Sequence, residues 1–240
     1  MPTIRTGESY GTHHIVERQM LFHDAVEKAE REEPARKSSL RYRFLTLSRE
    51  LGSSGDDVAR ELAGHLGWRV FDREIVESIA ADTKVRQQLV SQLDERAQNL
   101  IHESVQRLLR LTEGGSFGVP EYHESLLKTL GILAMQGNSI IVGRGANFAL
   151  RGTNGLHVRI TESLEQRIAR TTREWGVTAA EARARLEAAD AEKREFIRQH
   201  FHADIGDPRQ YDVSFCADHL STEQLSAAIL GVLGFPPAAR

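Results

Sequence analysis

Cysteine is all but missing from these 240 residues: Cys216 stands alone. A single thiol closes no internal disulfide and supplies no Cys-rich zinc spacing, so a reducing compartment, the cytoplasm, is the expectation. Positive charge is not in excess either. The formal net charge of −3 argues against a general nucleic-acid binder, because such proteins carry a basic balance. No apolar run approaches the roughly 18 residues of a membrane span, and the first residues, with His13-His14 and Glu17-Arg18, hold no apolar signal core. Neither a membrane nor a nucleic acid is expected as a partner. His200-Phe201-His202 puts two histidines on different faces of a helix, and no His, Cys or carboxylate group has ligand spacing. No structural metal is therefore assigned. A serine hydrolase would need a Gly-x-Ser-x-Gly elbow, which the sequence does not contain.

What is present has the composition of a globular protein: 40% of the residues are hydrophobic, enough for one sizeable core or for a core with a mobile subdomain. Residues 1–41 are polar and end in the charged run Glu27 to Lys37. They read as an extension, partly helical and ended near Pro34, and as a candidate protein-contact segment. From Phe44 the texture changes. Short apolar strands at 44–48, 69–71, 139–142, 156–160 and 213–216 alternate with helices such as 55–66 and 73–82. That alternation predicts an α/β fold with a five-stranded parallel sheet.

Thr83 to Gln136 carries helical periodicity instead, in Leu89, Leu93, Leu100, Ile101, Val105 and again in Leu126, Leu127, Leu130 and Leu133. It reads as a helical insert, interrupted by the glycine-rich Gly114 to Pro120, a connection between two helices with no strand before it. Three later helices open on capping-box spacings, Ser163 with Gln166, Thr178 with Glu181 and Ser221 with Gln224.

Four stretches bear on chemistry. The first runs Leu45-Thr46-Leu47-Ser48-Arg49-Glu50-Leu51-Gly52-Ser53-Ser54-Gly55-Asp56-Asp57, a strand, a Gly/Ser turn and a helix start, the order that cradles phosphate. The lysine of a Gly-x-x-x-x-Gly-Lys-Ser/Thr loop is missing. Either a phosphate meets the turn's N–H groups, or Ser53, Ser54, Asp56 and Asp57 cap the helix themselves. The second is Ser139-Ile140-Ile141-Val142-Gly143-Arg144-Gly145, a buried strand emptying into a turn whose arginine suits a phosphate or carboxylate at the ligand edge of a parallel sheet.

In the third, Phe71-Asp72-Arg73-Glu74, Asp72 caps a helix or contacts substrate or a metal-bound water, and Arg73 suits a phosphate. The fourth comprises Arg167, Arg170, Arg173, Asp190, Lys193, Arg194 and Arg198. These form either a two-helix clamp on a polyphosphate or a solvated face threaded by glutamates.

These motifs, with Asp207-Pro208-Arg209-Gln210-Tyr211-Asp212-Val213, resemble the cytidylate kinase-like family over about residues 43–234. The resemblance implies a three-layer P-loop kinase sandwich spanning 42–240, with a monophosphate-binding helical insert at about 73–136 and a lid at about 174–206. It implies transfer of the ATP γ-phosphoryl to CMP or dCMP with Mg2+, or, as the alternative, a non-catalytic nucleotide- or phosphate-sensing module.

Carried over by position, Gly52, Ser53, Ser54 and Gly55, with Arg167 and Arg170, look like the ATP phosphate site. Asp72, Arg73, Gly143, Arg144 and Gly145 look like the monophosphate site, and Arg144, Lys193, Arg194 and Arg198 like the cations over the transferring group. Gly55 falls where the loop lysine would stand and Asp56 where the magnesium-binding hydroxyl would, which makes Asp56 the candidate Mg2+ ligand. The related sequences share the missing lysine. Its point charge must then come from Arg49, Lys193 or Arg194.

Overall fold

The computed structural model describes residues 41–93, 95–112 and 121–235, all within the unit Leu40–Arg240. The N-terminal extension and the Gly114 to Pro120 connection lie outside the described residues.

Five strands, β1 (Phe44–Arg49), β2 (Arg69–Phe71), β3 (Ser139–Val142), β4 (Gly155–Thr161) and β5 (Val213–Cys216), pair in parallel in the order β2-β3-β1-β4-β5. β1 is the middle strand, with Leu45 opposite Ile140 on one side and Leu156 on the other. A strand covered on both faces needs a continuous apolar run, which is why Phe44 to Leu47 is buried throughout. The edge strand β5 instead alternates between half-buried and exposed residues.

Helix α1 (Gly55–Leu66) packs Val58, Ala59 and Leu62 on the sheet beside Leu225, Ile229 and Leu233 of the last helix, α9 (Thr222–Leu233). Each Val, Leu or Ile among them removed from water contributes about 1.5–3 kcal/mol. The segment between β2 and β3 forms α2 (Arg73–Ala81), α3 (Thr83–Ser91), α4 (Glu95–Thr112) and α5 (Glu121–Gln136). α5 is the pivot of this group, packing against α2, α4 and α3 and burying Leu126, Leu127, Leu130 and Leu133.

A four-residue helix, α6 (Ala146–Ala149), follows the Gly143-Arg144-Gly145 turn. α7 (Leu164–Trp175) and the 23-residue α8 (Ala179–Phe201) lie against each other. The capping boxes at Thr178 and Ser221 form as the sequence suggests. That at Ser163 does not: its side chain caps nothing, and its backbone N–H goes to Asp218 Oδ1 at 2.7 Å, a tertiary acceptor that wins over the local one. Among the described residues no helix is long and apolar enough to cross a membrane.

Candidate functional site

In a parallel sheet every strand ends on the same edge, and the loops that leave it collect there. At this edge lies a cavity of about 570 Å3, bounded by the ends of β1, β2 and β3 and by one flank of α8. β1 contributes Ser48 and Arg49, β2 leads into Asp72 and Arg73, β3 into Gly143, Arg144 and Gly145, and α8 supplies Asp190, Lys193, Phe196 and Ile197.

The turn after β1 is closed upon itself. The Ser53 N–H goes to the Glu50 carbonyl at 3.3 Å, the Ser54 N–H to the Glu162 carboxylate at 3.1 Å and the Gly55 N–H to Ser53 Oγ at 3.3 Å. Glu162, the first residue after β4, is buried and also accepts from Arg170 at 2.6 Å. Arg170 donates in addition to the Gly52 carbonyl at 2.8 Å, and this carboxylate holds its guanidinium pKa above the usual value. Arg167, 4% exposed, binds Asp190 through both terminal nitrogens, at 3.2 and 2.8 Å, and donates to the Leu51 carbonyl.

Gly52 has φ +74, and a Cβ there would stand 2.6 Å from Thr171 Oγ1 and 3.0 Å from Leu186. α7 and α8 therefore rest directly on the loop. Of the residues assigned by resemblance to ATP, Gly52, Ser53, Ser54, Gly55, Arg167 and Arg170 all lie off the cavity lining. Apart from the Ser54 hydroxyl, which is buried with no partner, their polar groups serve the loop's own structure. Arg49 and Asp56 do line the cavity, joined to each other at 2.9 Å.

The turn after β3 is built differently. Gly143, Arg144 and Gly145 all take positive φ, at +79, +49 and +68. A Cβ on Gly145 would stand 2.1 Å from the Phe201 ring, so only glycine fits. This left-handed run turns Arg144 into the cleft, where its side chain is 8% exposed, pairs with Glu77 and lies 4.8 Å from the centre of the Phe196 ring. Its Nε is buried with no partner. Burial, partly offset by Glu77, lowers its pKa. Arg73 reaches Glu77 at 3.5 Å and Glu192 of α8 at 3.1 Å. Asp72 caps α2, accepting from the Ile75 N–H at 3.0 Å, while its residue still lines the cavity.

Lys193 enters from α8. Its ammonium donates to the Arg49 carbonyl, and desolvation together with Arg49 and Arg159 lowers its pKa from 10.5 to about 7. Arg194, the next residue, is exposed, and Arg198 pairs with Glu195 on an exposed face. Neither lines the cavity.

The arrangement thus brings together Arg49, Asp56, Asp72, Arg73, Gly143, Arg144, Gly145 and Lys193, and leaves out Arg167, Arg170, Arg194 and Arg198. Sequence reasoning missed Glu162 and Glu77. Glu162 follows an apolar strand as Asp72 does, and Glu77 lies four residues after Arg73 on a helix, so each carried a positional signal.

Among the described residues no group of three His, Cys, Asp or Glu side chains could hold a metal. Asp56, the candidate magnesium ligand, is engaged by Arg49. These residues do not fit a resident ion. Magnesium belongs here with a nucleotide, bound mainly by phosphate and water.

A family model described as the cytidylate kinase-like family matches residues 44–219. No curated protein matches the chain. Among solved structures, an uncharacterized protein from Eubacterium ventriosum ATCC 27560 superposes with a TM-score of 0.63 at 18% identity, over 80% of this chain and 98% of that one. A shikimate kinase from Bacteroides thetaiotaomicron gives 0.43 at 15% identity, over 80% and 98%. At 18% identity the likeness to the Eubacterium ventriosum protein is one of fold.

Proposed function

This chain belongs to the cytidylate kinase-like family, and from that premise we propose that it is a phosphotransferase moving the γ-phosphoryl of ATP onto a nucleoside monophosphate, CMP or dCMP. The observation that carries the reading is the convergence of Arg49, Arg73, Arg144 and Lys193 on one cavity at the carboxyl edge of the sheet. A monophosphate oxygen is already anionic at neutral pH, so no base has to remove a proton from it. What the reaction needs is alignment and charge neutralisation. Arg144 and Arg73, now sharing the Glu77 carboxylate, suit the acceptor phosphate: Glu77 stands where two phosphate oxygens could take over. Phe196 and Ile197 limit water on the α8 side. ATP arrives with its magnesium, which supplies further neutralisation of the triphosphate. The insert at about 73–136 would then frame the monophosphate, and the segment at about 174–206, including α8, would act as the lid. A single exposed thiol, Cys216, suits the reducing cytoplasm we infer as its compartment.

One observation favours a second reading. The backbone donors of the loop at Ser53, Ser54 and Gly55 are spent within the protein, that of Ser54 on the Glu162 carboxylate. A loop closed in this way suits a nucleotide- or phosphate-sensing module, with the N-terminal extension as its protein contact. Incubation with ATP, magnesium and each nucleoside monophosphate in turn decides between them. ADP formation that depends on the acceptor supports the phosphotransferase; nucleotide binding with no acceptor-dependent ADP supports the sensor.

A further inference from the structure

Nearly every cation at the ligand edge is already neutralised. Arg49 is paired with Asp56, Arg73 with Glu77 and Glu192, Arg144 with Glu77, Arg159 with Glu50, Arg167 with Asp190, and Arg170 with Glu162. Lys193 is the exception: among the described residues, it is the one cavity-lining cation with no carboxylate within ion-pairing distance. It spends one N–H on the Arg49 carbonyl, and an ammonium has three. Two donors are left for the cleft. The acceptor carbonyl belongs to the last residue of β1, immediately before the turn that lacks its lysine.

We infer that Lys193 is the cation that meets the phosphates of a polyphosphate entering this cleft, reaching the end of β1 from α8 in place of the loop lysine the sequence lacks. The inference rests on the cleft taking a nucleotide, and it selects one residue from the three that the sequence leaves open. Arg49 already has a carboxylate, and Arg194 lies outside the cavity. The N–H groups of Ser54 and Gly55 cannot do the work without first releasing Glu162 and Ser53.

The surroundings of Lys193 add a signature. Facing it are Arg49 and Glu50 at the end of β1, Arg159 from β4 and Asp190 one turn earlier on its own helix, with Asp56 of α1 behind Arg49. Burial and the two arginines outweigh the two carboxylates and bring its pKa to about 7. An incoming polyanion reverses that balance and favours the protonated amine, so binding above pH 7 draws a proton from solution. An arginine at the same position would be charged throughout.

Calorimetric titration of the full chain with inorganic triphosphate, and separately with magnesium-ATP, tests this at pH 6 and pH 8.5 in buffers of different ionisation enthalpy. For the native chain the expected result is uptake of close to one proton at pH 8.5, and an affinity about thirtyfold weaker there relative to Lys193→Arg than at pH 6, because pH 8.5 lies about 1.5 units above the free amine's pKa. The ligand's own titration cancels in that ratio. Lys193→Met should bind at least about tenfold more weakly at pH 6 and take up no proton, a loss of about 1.4 kcal/mol. Arg183→Met, on the exposed face of the same helix, should match the native chain. Unchanged affinity and proton uptake in Lys193→Met, or no triphosphate binding by the native chain, would overturn the inference. Proton-coupled binding through Lys193 with no acceptor-dependent ADP leaves it standing and removes the phosphotransferase reading.

Discussion

Two glycine turns leave the same edge of the same sheet, one after β1 and one after β3, and they have opposite fates. In the turn from Gly52 to Gly55 the N–H groups of Ser53, Ser54 and Gly55, with Arg167 and Arg170, are consumed by Glu50, Ser53, Glu162, Asp190 and the loop's own carbonyls, and only the Ser54 hydroxyl among the side chains of that turn is buried without a partner. Around Gly143 to Gly145 the turn lines the cavity and presents Arg144 with one buried nitrogen unpaired. The turn that looks more like a phosphate loop in sequence is the closed one. A glycine turn after a strand does not by itself make an available anion site; at the first of these turns the end of β4 brings the Glu162 carboxylate within reach of the Ser54 N–H.

The largest effect should come from the open turn. Arg144→Met is expected to lower acceptor-dependent ADP formation at least ~100-fold, the scale of one lost electrostatic contact to a transferring phosphoryl group, with most of the loss in kcat/KM for the monophosphate. A smaller loss than in any loop variant would break the contrast. On the closed turn, Glu162→Gln leaves the half-buried Arg170 against a neutral amide and should cost about 2 kcal/mol in urea unfolding without weakening triphosphate binding more than about twofold. Tighter binding in that variant would show the loop to be a latent cradle that Glu162 keeps shut.

Gly52→Ala forces a Cβ toward Thr171 and Leu186 from a left-handed backbone and should cost about 2 kcal/mol, seen as a lower thermal midpoint with the cavity side intact.

A further effect is a pH dependence behind the open turn. His123 is buried against His200 and Phe201, and burial, then His200 and His202, lower its pKa to about 4. Between pH 6.5 and about 4 the unfolded chain binds a proton the folded one refuses, so the His123 contribution is intact above pH 6.5 and is lost as pH falls through that window. The thermal midpoint should therefore drop from pH 7 to pH 4, and more steeply in the native chain than in His123→Phe.

Much of the framework was legible. Buried apolar runs such as Phe44 to Leu47 and Ser139 to Val142 mark strands covered on both faces, and the Gly55–Leu66 helix follows from its start signals and apolar stripe. Arg144 was legible because glycines flank it at a strand end. What stayed hidden depends on partners distant in sequence. Glu162 meets Ser54 across 108 residues and Arg167 meets Asp190 across 23, and neither pairing leaves a local periodicity. Arginines at helical spacing therefore read equally well as a ligand clamp or as structural ties, and only the fold separates Lys193, unpaired at the end of β1, from Arg194, turned to solvent.

We propose that side chains at the open turn and on α8, rather than the loop backbone, run phosphoryl transfer to a nucleoside monophosphate. The most direct test is coupled detection of ADP from magnesium-ATP with CMP, dCMP, UMP and AMP offered separately to the native chain and to Arg144→Met. The account predicts ADP only when an acceptor is present, fastest with CMP or dCMP, and almost none from the variant. ADP release with no acceptor dependence, or equal turnover by both proteins, would contradict it.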